Sequence, residues 1–150
     1  MYQRILVPVD GSPTSLKGLA EAIRLARLSG GQIRLLYMVD ALSAAMAVGA
    51  YALSADVIDQ LRADGEQILR QARDQAVAEG VAADTVLDEG LNGRLADWVV
   101  EQVRTWPADV VVLGTHGRRS VGRLLLGSDA EQVLRASPVP VLLVRGQDTE

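Results

Sequence analysis

The chain has 150 residues, 49% of them apolar, with 19 acidic and 15 basic side chains and a formal net charge of −4. That length and apolar content suit one domain, residues 1–150, with a core of its own. A sequence pI near 5.0, with no basic stripe outside positions 118–123, argues against nucleic acid as a partner, and the lack of cysteine excludes disulfides and thiolate metal sites.

Residues 5–9, Ile-Leu-Val-Pro-Val, form a β-rich run too short for a signal peptide, and no small-residue cleavage site follows, so a cytoplasmic protein is expected. The run ends at Asp10-Gly11-Ser12, a turn, and Ser12-Pro13 fits a helix N-cap followed by proline at the first helical position. Leu16, Leu19, Ala20, Ile23 and Ala26 then recur at helical spacing and are expected inward, until Gly30-Gly31 stops the helix. A second strand is predicted over 32–39. The charge-free stretch 41–55 is shorter than the roughly 20 residues of a membrane span; it reads as an alanine-rich connection, and no membrane partner is expected.

A long helix is predicted over 55–79, with Ile58, Leu61, Ile68, Leu69, Ala72 and Ala76 inward and Gly80 closing it. A short strand over 85–88 and a helix over 93–106, through Leu95, Val99 and Val103, follow. Residues 110–113 are continuously apolar, as in a strand covered on both faces. A helix over 128–135 and a strand over 139–144 end the pattern. Alternating strands and helices predict an α/β fold, an open doubly wound parallel sheet with helices on both faces and right-handed crossovers. Ligands in such sheets bind outside the carboxyl ends of the strands, where the strand order reverses, and Asp10 and Gly114 both stand at such ends.

Between the fourth strand, which ends at Leu113, and the last helix the chain reads Gly114-Thr-His-Gly117, nine further residues, then Gly127-Ser128. Glycine lets backbone N–H groups approach phosphate oxygens, and a helix start adds free amides and the positive end of its dipole. Arg118, Arg119 and Arg123 concentrate positive charge in the same loop. Two readings fit, a phosphate cradle or a solvated loop with a glycine turn at each end. Related folds are excluded by chemistry. A P-loop needs a lysine in its glycine motif, whereas the one lysine, Lys17, lies far from this loop. Paired acids after the first strand, needed by a phosphoacceptor receiver, are lacking, and so is the dinucleotide fingerprint at that place.

Several stretches together resemble the universal stress protein family: residues 5–12, the Leu36-Tyr-Met-Val-Asp40 strand end, residues 108–117, and Gly127-Ser128 through 138–144. The loop has the G-x2-G-x9-G-[ST] spacing of that family's nucleotide-binding branch at every fixed position. The resemblance implies a five-stranded sheet of order 3-2-1-4-5 and bound ATP, or AMP or ADP, with Mg2+ or Mn2+. Site residues implied are Pro8, Val9 and Val39 around the adenine, Asp10 near ribose and phosphates, and Leu113, Gly114, His116, Gly117, Arg118, Gly127, Ser128 and Asp129 along the loop. Asp10 can accept from ribose hydroxyls or help hold a phosphate-bound ion, its alternative role being to start the turn, and Pro8, Val9 and Val39 serve equally as core. His116, the single histidine, lacks a second ligand for a metal site and reads as a loop side chain. Asp129 suits the helix dipole; toward a triphosphate it would either repel the phosphates or turn to a metal bound to them.

The last strand carries no charge and, in the implied order, lies at a sheet edge, so the resemblance implies a homodimer through 139–144. The function implied is an ATP-binding regulator whose contacts with a protein partner follow nucleotide occupancy. The alternatives are a slow ATPase using Asp10 or His116, and an interaction module without a ligand. No catalytic residue is assigned.

Overall fold

A computed structural model of the chain describes residues 1–40, 45, 46, 49, 54–89, 93–115 and 126–146. In chain order the elements are β1 (Arg4–Pro8), α1 (Pro13–Ser29), β2 (Gln32–Met38), α2 (Ala55–Ala78), β3 (Ala83–Asp88), α3 (Leu95–Thr105), β4 (Val110–Gly114), α4 (Ser128–Ala136) and β5 (Val141–Val144). The strands form one parallel sheet of order β3-β2-β1-β4-β5, as the resemblance implies.

Alternation along each strand divides the core in two. Ile5 and Val7 of β1, Leu35 and Tyr37 of β2 and Val112 of β4 face α1 and α2, which bring Leu19, Ile23, Leu69, Ala72 and Ala76. Leu6, Leu36, Val111 and Leu113 face α3 and α4, which bring Trp98, Val99, Val103, Ala130 and Val133. Buried on both faces, β1 and β4 need the continuous apolar runs that their sequences have. On the second face Arg34 makes a bidentate pair with Asp84 of β3, at 3.0 and 2.8 Å, and stacks over Trp106 with its guanidinium carbon 4.7 Å from the ring centroid.

Several boundaries differ from the sequence expectation. Leu16 is 48% exposed, and the inward stripe of α1 runs instead through Ser15, Gly18, Leu19, Ala22, Ile23 and Ala26. Ile58, Leu61 and Ile68 of α2 are half-buried; the contact face is closed by Gly65, where a Cβ would stand 2.5 Å from the Tyr37 ring. β3 begins two residues earlier than predicted. α3 is shorter, with Arg94 at its N-cap and Trp106 at its C-cap. β5 begins only at Val141, because Pro138 and Pro140 remove two ladder donors. Of the 41–55 stretch, Ala45 and Met46 are helical, and most of the remainder lies outside the described residues. Among the described residues no helix is long and apolar enough to cross a membrane.

Candidate functional site

The strand order reverses at β1: the chain passes through α1 to β2 on one side, while β4 pairs with β1 on the other. The helices that follow β1 and β4 leave on opposite faces of the sheet, so the carboxyl ends of these two strands border the crevice where ligands of such sheets bind.

The β1 side is finished by its own hydrogen bonds. The Val9 amide donates to Leu36 O at 2.8 Å, extending the ladder one residue beyond the strand. Asp10 Oδ1 accepts from the Ser12 amide at 2.8 Å, which shapes the turn in which Gly11 adopts φ +81°. Ser12 is the N-cap of α1, its Oγ accepting from the Ser15 amide at 3.2 Å, and Pro13 takes the first helical position, as expected from sequence. Ser15 is buried because its Oγ accepts from the Asp10 amide at 3.0 Å. Pro8, Val9 and Val39 are all buried, and the Val39 amide donates to Asp88 O at 2.7 Å. Val9 and Val39 belong to the core cluster beneath α1 and α2, and Asp10 stands half-buried at the edge of these three residues.

The β4 side is built differently. Leu113 is buried with the α3 and α4 cluster. Gly114 faces the first turns of α1 so closely that a Cβ would lie 2.9 Å from both Thr14 Cγ2 and Thr14 O, and Gly18 reciprocates with its own missing side chain 3.3 Å from the Gly114 nitrogen. Close helix–strand packing alone thus demands glycine at 114. Beyond it the Thr115 amide donates to Val144 O at 3.0 Å, and the chain returns from the loop with the Gly127 amide donating to Thr115 O at 2.7 Å. His116, Gly117 and Arg118, together with Arg119 and Arg123, lie outside the described residues.

Gly127 is the N-cap of α4, and among the described residues no side chain caps this helix start. Ser128 and Asp129 occupy the first turn and are exposed. Free amides at an uncapped start, with the dipole behind them, form the chemistry that receives an anion. Thr115, beside that start, carries a buried Oγ1 with no hydrogen-bond partner. Neither Thr115 nor the pair Thr14 and Gly18 stood out in the sequence, although a threonine two residues after the apolar run, inside the glycine motif, is the kind of signal that would mark the first. Among the described residues no group of three His, Cys, Asp or Glu side chains could hold a metal ion. A cavity of about 360 Å3 at the opposite, amino ends of the strands is lined by Gln3, Arg4, Gly31, Gln32 and Asp109 among others. Its Asp109 carboxylate is taken by the Gln3 and Arg4 amides.

Residues 1–145 match the model of the universal stress protein family. The chain belongs to that family. A universal stress protein of Methanocaldococcus jannaschii is 32% identical over 147 residues, covering 97% of this chain and 83% of the relative. Among solved structures, the universal stress protein UspA of Lactobacillus plantarum superposes with a TM-score of 0.79 at 25% identity, covering 96% of this chain and 98% of that one. A universal stress protein solved in complex with cAMP superposes with a TM-score of 0.66 at 27% identity, covering 96% and 97%. Within this universal stress protein fold, the two glycines that bound the loop have separable duties: Gly114 admits α1, and Gly127 leaves the start of α4 open.

Proposed function

We infer that the protein binds an adenine nucleotide, ATP with Mg2+ or Mn2+ as the leading candidate and AMP or ADP as its lower homologues, and that occupancy regulates its contacts with a protein partner. The observation that carries this reading is the uncapped start of α4 at the crevice, reached by a loop with G-x2-G-x9-G-[ST] spacing. A family relative in complex with cAMP supports the ligand class. In this reading the nucleotide spans from the Pro8, Val9 and Val39 end to the amides of α4, with the loop residues Gly114, His116, Gly117 and Arg118 and the helix-start residues Gly127, Ser128 and Asp129 along its phosphates. The described residues supply no protein cage for a metal, so a divalent ion would be held mainly by the phosphates, with Asp10 as a carboxylate within reach of the same strand end.

The protein as purified should release adenine nucleotide on denaturation, identified by mass spectrometry, and added ATP should raise the thermal midpoint of stripped protein. Nucleotide-free material whose midpoint does not move with ATP, ADP or AMP would sink the reading.

Assembly as a homodimer through β5 belongs to the same reading. The two sheet edges differ: β3 carries Asp84 and Asp88, whereas β5 is Val-Leu-Leu-Val with Leu142 42% exposed. Val141 and Leu143 pack against the core, so Leu142→Lys is the cleaner test; it should yield monomer in sedimentation, and an unchanged dimer would discard this interface.

A further inference from the structure

We propose that the Thr115 hydroxyl is a ligand group of the site, donating a hydrogen bond to a phosphate oxygen of the bound nucleotide. This rests on the nucleotide reading and adds to it a residue and a direction of bonding.

Thr115 is 7% exposed, and its Oγ1 is buried with no hydrogen-bond partner. Its backbone is fully used, the amide on Val144 O and the carbonyl by the Gly127 amide. The two buried serines at the same end of the sheet are satisfied by contrast, Ser12 Oγ by the Ser15 amide and Ser15 Oγ by the Asp10 amide. A buried hydroxyl left unbonded destabilises the fold, and a valine would fill nearly the same shape without that cost.

The direction follows from the strand. Leu113 faces α4, Gly114 faces Thr14 of α1, and the ladder continues through the Thr115 amide, so alternation returns the Thr115 side chain to the α4 side. There α4 begins, at an N-cap glycine that makes no side-chain cap, and among the described residues no side chain closes its N-terminus. A hydroxyl with no partner and the first amides of a helix with no side-chain cap stand one hydrogen bond apart along the chain through Thr115 O and Gly127 N. One anionic oxygen group satisfies both, and phosphate is the part of a nucleotide that offers it.

The test measures binding of ATP and of adenosine by titration calorimetry, with thermal midpoints of ligand-free protein, for wild type, Thr115→Val and Thr115→Ser. Thr115→Val should weaken ATP about tenfold or more, the size expected for a hydrogen bond to a charged group. It should leave adenosine affinity unchanged and the ligand-free midpoint equal or higher, and Thr115→Ser should retain ATP affinity. Wild-type affinity for ATP in Thr115→Val overturns the proposal while the nucleotide reading stands. Equal losses for ATP and adenosine, or a clearly lowered ligand-free midpoint in Thr115→Val, overturn it too, since the hydroxyl would then serve the fold. Wild-type protein that binds neither compound overturns the nucleotide reading itself, and this proposal with it.

Discussion

Two helices start at the crevice between β1 and β4, and they are finished in opposite ways. α1 is closed by the chain itself: Ser12 caps it, Pro13 occupies the first position, Asp10 braces the turn, and Ser15 ties the helix back to Asp10. α4 starts from a glycine with no side-chain cap, next to a buried hydroxyl that has no partner among the described residues. A helix start costs the protein free amides unless side chains, water or a ligand accept from them. The contrast separates the crevice into a self-sufficient wall on the β1 side and an incomplete receptor on the β4 side. The acidic first turn of α4, with Asp129 and Glu131, interacts favourably with the same dipole end, so these carboxylates partly substitute for an anion when none is bound.

The largest effect should come from Gly114→Ala, which tests whether the first loop glycine serves packing. The new methyl would meet Thr14 O, a backbone atom that cannot swing aside, as well as Thr14 Cγ2. A loss of about 1–3 kcal/mol in denaturant unfolding is expected, and a fully stable variant would return Gly114 to a ligand role alone. Next in size is Ser12→Ala, which opens the closed helix. Loss of the cap should cost about 1 kcal/mol while ATP affinity stays within about twofold, a factor worth about 0.4 kcal/mol. A large drop in affinity would show that the β1 wall is not self-sufficient.

The architecture and half of this contrast are legible in the sequence. The apolar run at 110–113 fits a strand covered on both faces, the β-rich run at 5–9 reads as a strand, and Ser12-Pro13 announces a capped helix through local chemistry. What escapes is set by contacts between distant segments. The inward stripe of α1 is shifted away from Leu16 because Gly18 approaches Gly114 and because the Ser15 hydroxyl is needed by Asp10. No periodicity of apolar residues announces a buried serine. Gly65 breaks the apolar pattern of α2, yet it is the seat of the Tyr37 ring, a fit visible only once β2 and α2 are packed. Thr115 is likewise an ordinary residue until burial removes its access to water. For the site, the sequence locates the glycines and the helix start by spacing; it does not separate Gly114 as a packing residue from Gly127 as the N-cap.

The smallest predicted change in stability is the sharpest test of the contrast. Gly127 has φ −57° and ψ 148°, a backbone conformation open to a capping residue with a side chain. Gly127→Ser would place a hydroxyl where it can accept from the amides of the first turn, finishing α4 as Ser12 finishes α1. Serine exceeds glycine as an N-cap by only a few tenths of a kcal/mol, so ligand-free protein should gain about that much in denaturant unfolding. ATP binding should weaken by more than the gain in stability implies, because the hydroxyl competes with phosphate for the same amides and occupies the space through which glycine lets a ligand approach. A variant that becomes more stable and still binds ATP as wild type does would show that the open start of α4 is a feature of the loop and not a receptor. The two helix starts would then differ only in how the chain happens to enter them.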